Sequence, residues 1–282
     1  MSNAAPVETG LAFKAREIEE LVDVYFFRRL GIVFAHLARV LRMTPTAVTF
    51  GAMFVGALGG ALLAWPQYAP LGVVFLIGHG VLDSSDGQLA RMTGQSTEFG
   101  RVMDGVAGYV THVAMYLGII ASAFSRGYGW EIVMLSFLAG ASTIVHAQMY
   151  DYHRTTYASY VLKGIVPPAV VGEPHGGLLG FYEGMQRMLA GLHPEVERRI
   201  ASRLDAGVVR DTDRALYRTC FYRPVRGWNT MGDNVRRLSI TIAVWAGRPE
   251  WFVFAELLPV NALCAVLWLV QRRADARFLA SA

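Results

Sequence analysis

Two cysteines in 282 residues, Cys220 and Cys264, are too few and too far apart for a disulfide framework, and neither sits in a zinc-ligand spacing. Charge is scarce as well: Asp, Glu, Lys and Arg make up 17% of the chain against 54% hydrophobic residues, where an ordinary soluble domain carries about 25% charged residues. With a mean hydropathy of +0.34, a polytopic membrane protein is the expected class. The N-terminus, MSNAAPVETGLAFKAREIEE, lacks the basic, apolar and small-residue succession of a cleaved signal peptide, so insertion is expected to rest on the first internal span. No internal repeat or low-complexity tract is present, which removes the inverted-repeat signal of a transporter.

Apolar stretches that approach the ~20 residues needed to cross a bilayer fall at 45–65, 71–90, 99–124, 130–150, 233–247 and 250–271. The expected fold is therefore all-α: a six-span membrane helical bundle with both termini on one side. The net charge of +4 does not point to nucleic acid, because its distribution follows a membrane. All but two of the 26 Lys and Arg residues, Arg126 and Arg248, lie on the side of the termini. By the positive-inside rule that side is cytoplasmic, in a cell (inner) membrane. The fifth span is short, and its start, GDNVRRLS, is polar enough to border a wet cavity.

Four regions follow. Residues 1–43 form a cytoplasmic amphipathic segment: within 17–43, Leu21, Val24 or Tyr25, Leu30, Phe34, Leu37 and Leu41 share a helical face, with Arg28, Arg29, Arg39 and Arg42 elsewhere. Residues 44–150 hold spans one to four, opened by Thr44 as N-cap and Pro45. Gly51, Gly56, Gly59 and Gly60 in the first span read as close helix packing. Residues 151–232 form a cytoplasmic helical cap. It is expected to contain an interfacial helix through Leu178, Phe181 or Tyr182, Met185, Leu189 and Leu192, and short helices in HPEVERRIASRL and RDTDRALYRTCFY, with Pro167-Pro168 and Pro224 as breakers. Residues 233–282 hold the last two spans and the tail.

The chemistry concentrates in VLDSSDGQLARMTGQSTEFGRVMDGVAGYVTH, residues 81–112. A carboxylate facing a bilayer commonly costs ~2.5–3.5 kcal/mol at a helix centre, so Asp83, Asp86 and Asp104 need compensation. Asp83 and Asp86 are three residues apart and can face one point, which Asp104 from the next span completes. An all-oxygen ligand set favours a hard cation, Mg2+ or Mn2+, as one or two ions. Gly87 and Gly100 let a ligand or backbone come close, and Arg91 can clamp a phosphate. Carboxylates, glycines and an arginine together suggest metal-assisted phosphoryl transfer.

The spacing resembles the CDP-alcohol phosphatidyltransferase family, whose signature is Asp-x2-Asp-Gly-x2-Ala-Arg-x8-Gly-x3-Asp-x3-Asp. Asp83, Asp86, Gly87, Ala90, Arg91, Gly100 and Asp104 match it with every gap kept, on the order of once in 10^8 random windows. The start of the first span is similar to the family's Pro-Asn-x-x-Thr, with Pro45, Thr46 and Thr49 in place and Thr46 standing for the asparagine. The resemblance implies a membrane enzyme that moves a substituted phosphate from a CDP-linked donor to an alcohol or lipid acceptor and releases CMP. It implies that the aspartates hold divalent metal, that Gly87, Ala90 and Gly100 line the nucleotide, and that Arg91 meets the diphosphate. Thr46 and Thr49 join that donor site. Membrane lipids and a homodimer complete the expected partners.

The signature's last aspartate is replaced by Gly108. That aspartate is the family's usual candidate base, so the proton acceptor is expected elsewhere: His112 lies one turn beyond Gly108 and His79 one turn before Asp83. Arg154, Arg236 and Arg237 are candidates to receive an acceptor that carries its own phosphate. Gly108 also admits two alternatives, a headgroup phosphotransferase acting on a ceramide-like lipid and a catalytically silent lipid-binding scaffold.

Overall fold

The structure is a computed structural model that describes residues 16–166, 184–204 and 208–281. Those residues are helical with no strand among them, and they fall into two compact units. The first comprises Glu20–Leu138 with Arg236–Phe254. The second comprises Glu17–Glu19, Ala139–Val235 and Ala255–Ala282.

In the first unit, a π-helical turn at Asp23–Phe27 runs into α1 (Arg28–Val40). The small residues Gly31, Ala35 and Ala38 recur at helical spacing and are the buried ones. A Cβ at Gly31 would lie 2.8 Å from Gln88 Nε2 and 2.9 Å from Ser84 Oγ, and Gln88 Nε2 donates to the Arg28 carbonyl at 3.1 Å. Val33, Phe34, Leu37 and Val40 of α1 remain exposed. Arg42 then takes a left-handed conformation (φ 56°) and Thr44 caps α2 (Pro45–Leu62), its hydroxyl accepting from Ala47 N–H at 3.2 Å.

Next come α3 (Ala69–Thr93), ended by Gly94 at φ 67°, and α4 (Glu98–Ser125), capped by Thr97. Both pack on α2 through glycine. A Cβ on Gly118 would stand 2.1 Å from the Gly60 carbonyl oxygen, and one on Gly72 would stand 2.7 Å from that of Gly59. Side chains are absent at those crossings because the backbones themselves touch. At the far end of α4, Arg126 donates to the Gly247 carbonyl and lies 3.7 Å from Glu250, which Arg248 approaches at 3.5 Å. The two basic residues that break the charge asymmetry of the sequence thus share one fully buried carboxylate.

Helix α5 (Glu131–Tyr157) leads into the second unit, where a π-helical turn at Ala158–Lys163 ends at Gly164 (φ 68°). There follow α6 (His193–Ala201), α7 (Asp211–Trp228), α8 (Asp233–Trp245), α9 (Trp251–Ala255) and, after a π-helical turn at Glu256–Val260, α10 (Asn261–Ser281). Pro224, expected to break a helix, lies inside α7. It removes one amide donor, yet the helix holds because Phe221, Val225 and Trp228 around it are buried. The expected helix through Leu178, Phe181 and Tyr182 and the pair Pro167-Pro168 fall outside the described residues, as do positions 1–15.

The core of the second unit is aromatic and polar together. His193, fully buried, pairs through Nδ1 with Asp275 at 2.7 Å and accepts at Nε2 from the Tyr217 hydroxyl at 2.9 Å. Gln271 donates to Asp275 at 3.1 Å and accepts from Trp228 Nε1 at 3.2 Å. Tyr160, Phe221 and Phe278 enclose this chain of bonds. Glu256 is buried against Thr143 (3.4 Å) and His146 (3.5 Å), and His146 Nε2 lies 3.0 Å from Asn261 Oδ1. Both cysteines are free.

Among the described residues, four helices are long and apolar enough to cross a membrane: Pro45–Leu62, Glu98–Ser125, Glu131–Lys163 and Trp251–Ser281. They coincide with four of the six stretches expected from the sequence. The second stretch lies in α3, which is 25 residues long but carries Asp83, Asp86 and Arg91. The fifth lies in α8, whose 13 residues reach about 20 Å against a hydrocarbon core of about 30 Å.

Candidate active site

The carboxylates sit where α3 approaches its C-terminus and α4 begins. Asp86 is buried, 6% exposed, and accepts a 2.5 Å hydrogen bond from Thr49 Oγ1 of α2. Thr49 also lies 3.1 Å from the Pro45 carbonyl, so its hydroxyl joins the start of α2 to the signature helix. Asp83 and Asp104 are close enough to Asp86 to raise the cost of its charge. Three neighbouring carboxylates, one of them buried, are unfavourable without a counter-charge.

A cavity of about 260 Å³ opens beside them. Its walls include Thr46, Thr49, Asp86, Gly87, Ala90, Arg91, Gly100 and Asp104, so eight of the residues singled out in the sequence meet in one place. At the glycines of that lining, the Arg91 guanidinium lies 3.5 Å from where a Gly87 Cβ would be. A Cβ on Gly100 would press on Thr97 Oγ1 at 3.0 Å, with Thr46 Oγ1 at 3.6 Å. Pro45, part of the entry motif of the first span, and Arg101 also line the cavity, as do Gln95, Ser96 and Thr97, which escaped the sequence reading. Thr97 had a signal there, a threonine directly before Glu98 at a helix start. Gln95 and Ser96 had none, since they belong to the turn between the helices.

Other expected residues stand apart from that lining. Asp83 is near Asp86 but does not face the cavity. His79 is buried with Nδ1 3.0 Å from the Ala52 carbonyl, and His112 Nδ1 lies 2.9 Å from the Gly108 carbonyl. A carbonyl only accepts, so Nδ1 carries the proton in each neutral ring and Nε2 carries the lone pair. Neither histidine lines the cavity. Arg236 is buried, and the Arg237 guanidinium stands 5.0 Å over the Phe27 ring. Arg154, in the second unit, lies against Tyr150 (2.5 Å) and Glu19 (4.0 Å). At Gly108 a Cβ would meet nothing within 4 Å: the place of the missing carboxylate is open space.

The donor set suits a hard divalent cation, being all carboxylate oxygen with one member buried. Among the described residues no three acidic, His or Cys side chains are drawn together tightly enough to hold an ion as they stand.

One buried carboxylate, Asp86, with Asp104, an arginine and two glycines thus lines a cavity beside α2 and α4, helices apolar enough to span a bilayer. Residues 42–166 match the model of the CDP-alcohol phosphatidyltransferase family, and this stretch contains the seven signature residues from Asp83 to Asp104. The family's members are transferases of phosphate-containing groups in phospholipid synthesis, and they use divalent metal ions. No curated protein and no solved structure compared with the chain gives a match.

Proposed function

We propose that this protein is an integral membrane CDP-alcohol phosphotransferase, making a phospholipid or related lipid at the cavity between α2, α3 and α4. The observation that carries the reading is the convergence of Asp86, Gly87, Ala90, Arg91, Gly100 and Asp104, with Thr46 and Thr49, on that one cavity. Asp83, Asp86 and Asp104 would hold Mg2+ or Mn2+, which when bound neutralises the diphosphate and makes CMP a better leaving group. Arg91 binds the diphosphate through its guanidinium, and the bare Gly87 and Gly100 backbones let the nucleotide approach. The acceptor oxygen attacks the phosphorus that carries the alcohol, the bond to the bridging oxygen breaks, and CMP leaves with the electron pair. The acceptor's proton goes to His112, whose Nε2 carries the lone pair, with His79 the second candidate.

In the membrane, α3 serves as a fifth span and α8, too short to cross alone, as a partial sixth whose polar start borders a wet cavity, and the positive-inside distribution puts the termini and the site on the cytoplasmic side. The exposed Val33, Phe34, Leu37 and Val40 with the arginines of α1 suit a helix lying on an anionic leaflet. Open space at Gly108 favours a second reading within the same chemistry, a bulky ceramide-like alcohol as acceptor. The test is purified protein in lipid with a panel of CDP-linked donors, alcohols and ceramide, with Mg2+ or Mn2+, followed by CMP release and lipid mass. Metal-dependent CMP with one donor supports the proposal; no CMP from any donor overturns it.

A further inference from the structure

Helix α7 carries Arg214, Arg218, Arg223 and Arg226. Three of them are held by protein groups. Arg214 donates to the Val161 carbonyl and Arg226 to the Glu19 carbonyl at 3.2 Å. Arg218 grips the Glu17 carboxylate through Nε at 3.0 Å and Nη2 at 2.9 Å, and the Tyr157 hydroxyl donates to the same carboxylate at 2.8 Å. Arg223 has no hydrogen bond or ion pair among the described residues.

Arg223 is exposed, and it lines an open surface pocket of about 310 Å³ together with Glu17, Arg218, Thr219 and Tyr222, so its charge is grouped with a second guanidinium rather than isolated. The Thr219 hydroxyl donates to the Ala215 carbonyl at 2.9 Å, so its proton is committed. The donors left to a ligand are the Arg223 fork, the remaining N–H groups of Arg218 and the Tyr222 hydroxyl. Two guanidinium groups against one carboxylate give the lining a surplus of one positive charge, which rejects cations. A single carboxylate ligand would duplicate what Glu17 already supplies and leave most of these donors unused. A tetrahedral phosphate offers more acceptor oxygens and up to two negative charges, and it matches arginine forks in geometry. The volume falls in the range of small-molecule sites, about 300–1,000 Å³.

We propose that this cavity binds a phosphate-bearing anion, clamped by Arg223 and Arg218, with Tyr222 as a further donor and Glu17 as the resident competitor for Arg218. The ligand's phosphate is either that of a lipid headgroup or that of free phosphate. The site lies wholly within the second unit and shares no residue with the signature cavity, so it stands or falls separately from the transferase reading.

The test uses the full chain in phosphatidylcholine nanodiscs with EDTA throughout, so that no metal at the aspartates recruits phosphate. In one arm inorganic phosphate is titrated and binding is followed by phosphorus NMR. In the other, phosphatidic acid or phosphatidylserine is built into the disc and hydrogen exchange is followed over residues 216–224. Binding in the first arm that weakens about tenfold or more in Arg223→Ala, less in Arg223→Lys, and tightens in Glu17→Gln supports the proposal with free phosphate as the source. Protection in the second arm by phosphatidic acid but not phosphatidylserine, lost in Arg223→Ala, supports it with a headgroup as the source. Silence in both arms, an equal response to phosphatidylserine, or an unchanged Arg223→Ala overturns it. Among the described residues Arg223 has no partner to lose, and a retained thermal midpoint checks that its removal leaves the fold intact.

Discussion

The two units are held together internally by opposite means. The first brings helices into contact by removing side chains: Gly60 meets Gly118 and Gly59 meets Gly72, backbone on backbone. The second fills its interior with Tyr157, Tyr160, Tyr217, Phe221, Trp228 and Phe278, and buries among them a chain of polar groups from Trp228 through Gln271 and Asp275 to His193 and Tyr217. The contrast teaches where each unit is vulnerable. Glycine crossings tolerate no added atom, whereas the polar chain tolerates no missing partner.

That difference can be tested from the most damaging change downward. Asp275→Ala strands a fully buried His193 beside Tyr217 and Gln271, and removing one member of a buried pair costs about 3–5 kcal/mol. The thermal midpoint of the purified protein should fall by many degrees, while Asp275→Asn, which keeps an acceptor, falls less. Gly118→Ala places a methyl on the Gly60 carbonyl and should cost about 1–3 kcal/mol in the same measurement. Equal tolerance of Gly118→Ala and of an alanine at exposed Gly105, where a Cβ meets nothing, would break the contrast. Thr49→Val removes the hydrogen bond to Asp86, worth about 1.5–3 kcal/mol for a charged acceptor. It should weaken the metal dependence of the reaction by tenfold or more with little change in unfolding temperature.

The smallest effect concerns pH. Burial holds the Glu197 carboxyl above the ordinary glutamate range, against the pull of His193. The folded chain therefore binds this proton more tightly than the unfolded chain does. Glu197's contribution to stability is full below the ordinary glutamate pKa and declines as pH rises through its raised value. Glu197→Gln should flatten the fall of the thermal midpoint as pH rises above the ordinary glutamate range. A variant with the wild-type pH profile would show that the buried carboxyl is not responsible.

The signature site was legible in the sequence because its constraint is local. Asp83, Asp86, Gly87, Ala90 and Arg91 lie on one helix at fixed spacing, and Gly100 and Asp104 follow within the next. The same locality exposed Thr44 as a cap and Gly56, Gly59 and Gly60 of α2 as packing positions, whereas Gly51, read with them, is exposed and a Cβ there meets nothing within 4 Å. Contacts between distant parts of the chain left no such trace: His193 meets Asp275 82 residues away, and Glu17 meets Arg218 201 residues away. Pro224 misled for a related reason, since propensity marks a break and tertiary burial of its neighbours overrides it. Histidine roles were the least legible, because spacing placed His79 and His112 near the aspartates while backbone carbonyls claim their Nδ1 atoms.

Asp86 is the buried carboxylate on which the site turns, so the most direct measurement is CMP release by Asp86→Ala beside the wild type. Both are reconstituted in lipid with the best donor and acceptor of the panel and saturating Mg2+ or Mn2+. The account predicts CMP and lipid product in equal amounts from the wild type, stopped by EDTA, and a loss of at least about a hundredfold in the variant at unchanged thermal midpoint. An Asp86→Ala protein that releases CMP at the wild-type rate would contradict it.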